Sequence, residues 1–94
     1  MSKGSVLVVD DKAIVAKDIA RLITKIGYNV VATSVTSSDA IKKAGEFHPD
    51  IALMDIKLKG EKDGIDTAEE IFYSYGTPSI CALSNVSVSV YAVT

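Results

Sequence analysis

The chain has no tryptophan, one cysteine, one histidine, two prolines and only 6% aromatic residues. A lone cysteine cannot form an internal disulfide, and Cys81 lies in the apolar run Ile80-Cys81-Ala82-Leu83. It reads as a core residue of a protein kept in a reducing compartment. Four tyrosines and two phenylalanines provide no platform on which bases would stack. An excess of positive charge is also missing: ten Lys and Arg stand against twelve Asp and Glu, for a formal charge of −2. Without a basic field the chain is not expected to bind nucleic acid. No apolar run approaches the roughly 20 residues of a membrane span, and Met1-Ser2-Lys3-Gly4 leads into a strand too short for a signal peptide. The expected setting is cytoplasmic, with neither membrane nor nucleic acid as partner.

What is present is a chain of 94 residues, 48% hydrophobic and 23% charged, enough for one core and too little for two. Strand and helix signals alternate, the pattern of a parallel sheet with crossover helices. Ser5 to Val9 reads as a strand. A helix is expected from about Lys12 to Ile26, with Ile14, Val15, Ile19, Leu22, Ile23 and Ile26 on its apolar face and Gly27 as a left-handed stop. A second strand spans Asn29 to Thr33. Ser37 or Ser38 would cap a helix running to about Phe47, with Ile41, Ala44 and Phe47 inward. Ile51 to Met54 is a third strand, Gly64 or Ile65 to Tyr75 a helix with Ile65, Ala68, Ile71 and Phe72 inward, and Ser79 to Leu83 a fourth strand. The pattern then changes. Val86, Val88 and Val90 alternate with Ser87, Ser89 and Tyr91, a period of two that argues for a strand where another helix was due. The two-residue connector Ser84-Asn85 cannot make a parallel crossover. The 86–94 tail must therefore continue the fourth strand, fold back beside it, or pair with another chain.

The chemistry concentrates where apolar strands run into acids. Asp10 and Asp11 follow Val6-Leu7-Val8-Val9, and Asp55 follows Ile51-Ala52-Leu53-Met54. Open α/β sheets bind ligands at the carboxyl ends of their strands. Asp10 and Asp11 also suit a helix N-terminus, where acids offset the dipole and cap free N–H groups. Asp55 has no helix directly after it, so capping does not account for it. Two carboxylates roughly 4 Å apart repel by about 4 kcal/mol at an effective dielectric of 20, and a third calls for a cation or raised pKa values. Ser84 follows the fourth strand and should reach the same edge. Lys57, Lys59 and Lys62 read as solvated loop charges, Asp63-Gly64 as a turn. His48, before Pro49 at the far end of the third strand, is a strand length from the acids.

The segments Val6-Leu7-Val8-Val9-Asp10-Asp11, Asp50-Ile51-Ala52-Leu53-Met54-Asp55-Ile56 with Asp63-Gly64, and Thr77-Pro78-Ser79-Ile80 leading to Ser84 resemble the receiver domain of two-component response regulators. The resemblance covers residues 4 to about 85. It implies a flavodoxin-like doubly wound parallel sheet of order 2-1-3-4, with Asp55 as phosphoacceptor and Asp10, Asp11 and Asp55 holding Mg²⁺. It further implies that the backbone carbonyl of Lys57 is a metal ligand and that the Ser84 hydroxyl donates a hydrogen bond to the phosphoryl group. The implied partner is a sensor histidine kinase or phosphotransfer protein, and the chain would be a phosphoacceptor and not an enzyme. A metal-dependent phosphotransferase with a strand-end aspartate would instead want a second acid at position 57, which is lysine.

The chain also departs from the family pattern. The loop after Asp55 carries Lys59-Gly60-Glu61-Lys62 where a proline is usual. The family's fourth helix, its fifth strand with an invariant lysine, and its fifth helix are not recognisable; no lysine follows Lys62. Residues 1–94 thus read as a single incomplete receiver domain, its fifth βα unit missing or replaced by residues 86–93. That would leave the edge of strand four and an apolar helix face uncovered. The expectation is a homo-oligomer formed through strand four and the Val86 to Val93 tail, whether as a signalling receiver or as a receiver-like assembly module that binds metal or partners without switching.

Overall fold

In the computed structural model, described over residues 3–55, 63–82 and 91–93, the alternation becomes five strands and three helices. They are β1 (Ser5–Val9), α1 (Ala13–Lys25), β2 (Asn29–Ser34), α2 (Ser37–Phe47), β3 (Ile51–Asp55), α3 (Gly64–Tyr75), β4 (Ser79–Ala82) and β5 (Tyr91–Val93). The sheet order is β2-β1-β3-β4-β5. The first four strands are parallel, and this is the flavodoxin-like arrangement expected. β5 is antiparallel to β4, with Ile80 opposite Ala92. Of the three courses open to the tail, the chain takes the one that folds back. The edge of β4 expected to lie bare is thus occupied within the same molecule. Residues 86–90 lie outside the described residues.

Pleating assigns the β1 side chains to two cores. Leu7 and Val9 join Ala40, Ala44, Ala52, Met54, Ala68, Ile71 and Cys81 under α2 and α3. Val6 and Val8 meet Ala16 of α1 on the other face. Such alternation is what two-sided burial of a central strand requires.

Helix orientation is where the expectations need correction. α1 turns Ala16, Ile19, Ala20 and Ile23 toward the sheet, while Ile14, Leu22 and Ile26 are exposed. A helix with two small alanines sits close to the sheet, and only a narrow arc of its surface then reaches the core. On α2 the buried residues are Ser37, Ala40 and Ala44, and Phe47, in the last turn, is left exposed. On α3, Thr67, Ala68 and Ile71 are buried.

The α2 cap is Thr36 and not Ser37 or Ser38; its side chain accepts the Asp39 N–H at 3.2 Å. Ser37 is instead buried beneath α3, where its Oγ accepts a 2.7 Å bond from Thr67. Asp63, expected as part of a turn, is the N-cap of α3 and accepts the Asp66 N–H at 2.9 Å. Gly27 takes φ +105° and Gly76 φ +74°, the left-handed region in which a side chain is strained.

Candidate functional site

Register builds the site. β1 and β3 pair so that Val9 lies opposite Met54, and the next residue of each parallel strand is therefore Asp10 beside Asp55. Asp55 in turn lies opposite Ala82 of β4, so the three strands end at one edge. One oxygen each of Asp10, Asp11 and Asp55 fall within 4.8 Å of one another. The structure thus brings together the three acids singled out in the sequence. Ser84 and the Lys57 carbonyl lie outside the described residues.

Each acid has its own environment. Asp10 is 4% exposed and Asp55 7%, while Asp11 is half-buried. The Asp10 backbone N–H is tied to the Ser34 carbonyl of β2 at 3.0 Å, and its Oδ1 accepts the Lys12 N–H at 2.9 Å. Lys12 is the N-cap of α1, makes no side-chain cap, and no acid lies in the first turn. The capping reading of the acid pair therefore holds only for Asp10, and there only as a bond to the residue before the helix. Burial pushes the Asp10 carboxyl above the usual carboxylate range; the Lys12 N–H works against this, and the charges of Asp55 and Asp11 add to it. A buried acid held up by like charges gains from any cation that neutralises the cluster. The donor set, three carboxylate oxygens in reach of one point, is the hard oxygen chemistry that suits Mg²⁺.

Below the acids a groove of about 240 Å³ opens between α1 and the sheet, lined by Val15, Ile19, Leu53 and Ile80 as well as Asp10 and Asp55. His48 is at the opposite end of β3, as expected; it ends α2 at φ 45° and meets the Tyr75 ring edge-on at 6.3 Å. The sequence reading missed Ser34. Its place at the end of β2, one residue beyond the strand expected and opposite Val9 of β1, puts its carbonyl at the site edge, and nothing local in the sequence signals that register.

A family model for the response regulator receiver domain matches residues 6–94. The chain belongs to the response regulator receiver family. Among curated relatives, this receiver is 41% identical over 66 residues to the chemotaxis protein CheY of Thermotoga maritima, covering 70% of this chain and 54% of that protein. It is 35% identical over 66 residues to the transcriptional regulatory protein PdtaR of Mycobacterium tuberculosis, covering 70% of this chain and 32% of that one. The matched receiver stretch thus spans between a third and just over half of those relatives. Among solved structures, a two-component response regulator of the LuxR family from Aurantimonas sp. SI85-9A1 superposes with a TM-score of 0.82 at 31% identity, covering 92% of this receiver and 62% of that chain. The signal receiver domain of a modulated diguanylate cyclase from Desulfovibrio desulfuricans G20, described as an example of alternate folding, gives the same TM-score and identity over 88% and 66%.

Proposed function

We propose that this receiver accepts a phosphoryl group on Asp55 from a histidine kinase or phosphotransfer protein, in the cytoplasm. The observation that carries the proposal is the convergence of Asp10, Asp11 and Asp55 within 4.8 Å at the carboxyl edge of the sheet. An Asp55 carboxylate oxygen attacks the phosphorus of a phosphohistidine. The O–P bond forms as the P–N bond breaks, and the imidazole leaves with the electron pair and is protonated by solvent. Asp10 and Asp11 would hold Mg²⁺ with Asp55 and the Lys57 carbonyl; once bound, the metal offsets negative charge on the moving group. The chain's own residues hold Asp55 at a fixed point through the β1–β3 and β3–β4 ladders, so the nucleophile is positioned before the donor arrives. The Ser84 hydroxyl would donate a hydrogen bond to the resulting acyl phosphate.

Acetyl phosphate with Mg²⁺ should add one phosphate to the chain, read by intact-protein mass, and Asp55→Asn should abolish it. Labelling that survives the substitution refutes the assignment. The antiparallel return of β5 along β4, where the pattern of the first four strands is parallel, favours a second reading, a receiver-like module that binds metal or partners without switching. Under that reading Asp11→Ala abolishes Mg²⁺ binding and leaves partner binding or assembly intact, and the wild type acquires no phosphate.

A further inference from the structure

The backbone N–H of Asp10 is held by the last residue of β2, through the 3.0 Å bond to the Ser34 carbonyl. β2 is an edge strand: among the described residues it pairs with β1 alone. The end of an edge strand frays unless something ties it down, and here whatever ties β2 also fixes a member of the acid cluster. Successive carbonyls of a strand point to opposite sides. The Ser34 carbonyl is turned to β1, so the Thr33 carbonyl before it is turned to the open edge. There it accepts a 2.7 Å bond from Lys43 Nζ of α2, ten residues further along the chain.

Lys43 is itself oriented. Asp39, one turn earlier on α2, holds the same ammonium at 3.1 Å, acid before base at i and i+4, the favourable order on a helix. Both side chains are half-buried. Burial pushes the Asp39 carboxyl up, but its polar and charged neighbours, Lys43 first among them, bring it below the usual carboxylate range. A lysine on an edge carbonyl can serve simply to keep other strands away. What sets this one apart is the next residue: the carbonyl it grips adjoins Ser34, on which the Asp10 backbone hangs. The other bond to Asp10, from the Lys12 N–H to Oδ1 at 2.9 Å, is local to its own stretch of chain.

We propose that Lys43, oriented by Asp39, is a positioning residue for the acid cluster: its grip on the Thr33 carbonyl sets the end of β2, and the end of β2 sets the Asp10 backbone. Three carboxylates must approach one point against their mutual repulsion, so a backbone free to drift lets Asp10 retreat and lowers the affinity for a divalent cation. The clamp lies on the outer side of β2 and contacts the cluster only through the strand. The inference rests on the metal-binding reading of Asp10, Asp11 and Asp55, and adds to it the part of α2 that keeps the site in shape.

Mg²⁺ titrated into the ¹⁵N-labelled full chain, followed by nuclear magnetic resonance, reads both the affinity and the state of the Asp10 amide before metal is added. Lys43→Met keeps the stem and removes the ammonium. It should raise the Mg²⁺ dissociation constant about threefold to tenfold, less than the loss of a direct partner of a metal ligand brings, and should shift the metal-free Asp10 amide and speed its exchange. Lys43→Arg should retain the wild-type affinity. Asp39→Asn should weaken binding in the same direction, and combining it with Lys43→Met should cost no more than Lys43→Met alone. Gly76→Ala, which strains a distant helix end, should leave both readouts unchanged. A Lys43→Met chain with wild-type affinity and an unmoved Asp10 amide overturns the inference and leaves the metal site standing. Equal effects from Gly76→Ala also overturn it, since the change would then be a general loosening. A wild type that binds no Mg²⁺ overturns the metal reading, and this inference with it.

Discussion

At the scale of single residues, the same physical fact, burial, has different consequences in Asp10 and Cys81. Both are removed from water, and both are pushed toward the protonated form. For Asp10 this happens in a cluster of acids, where neutralisation by a cation relieves it. The Cys81 thiol is raised by burial first and by the Asp63 carboxylate second, and Sγ sits 3.9 Å from the Gly64 carbonyl under α3. A raised thiol carries little thiolate at neutral pH and is a poor nucleophile. The folded chain should therefore react with a thiol-specific disulfide reagent at pH 7.5 far more slowly than the urea-unfolded chain, followed by absorbance. Equal rates would mean that Cys81 is not held in the core. The sequence reading of Cys81 as a core residue rested on its apolar neighbours, and the structure agrees: it is fully buried.

At the scale of elements, the strands were easier to place than the helix faces. The starts of all four parallel strands match the expected positions, because short apolar runs bounded by polar or turn residues leave little choice. The helix periodicity located α1, α2 and α3 and the inner face of α3, but it turned Ile14, Leu22, Ile26 and Phe47 inward where they are exposed, since the arc a helix buries depends on how closely it approaches the sheet. The ends depend on small local bonds. Thr36→Ala, which removes the acceptor for the Asp39 N–H, should cost about 1 kcal/mol in urea unfolding. Gly76→Ala should cost a similar amount, about 1 kcal/mol, for a different reason: nothing lies within 4 Å of an added Cβ, so the whole penalty is the left-handed backbone at φ +74°. If Gly76→Ala is neutral, that helix end has another way to close.

At the scale of the whole molecule, the departure from the parallel pattern is the short β5. Three residues are enough to close the hydrogen-bonding edge of β4, and a strand this short offers little of its own edge to other chains. The antiparallel register has a direct signature. Nuclear Overhauser contacts are expected between the backbones of Ile80 and Ala92, with Ser79 near Val93 and Cys81 near Tyr91. Slow amide exchange on β4 should accompany them. Contacts in a parallel register, or an unprotected β4, would refute it. Among the described residues α1 alone covers the opposite face of the sheet, and the groove lined by Val15, Ile19, Leu53 and Ile80 opens beside it.

The sequence by itself determined the alternation of strands and helices, the family, and the three acids, because apolar runs that end in aspartate are local facts that no packing can rearrange. Asp10, Asp11 and Asp55 were legible one by one, but their meeting was not a local fact. It needed the register that sets Val9 against Met54, a pairing between segments more than forty residues apart. The tertiary structure alone decided the direction of the tail, since alternating valines and serines specify a strand without specifying a neighbour. It also decided that Ser37 and Thr67 share a buried hydrogen bond and that Leu22 and Ile26 face outward, because side-chain burial depends on what other elements leave uncovered.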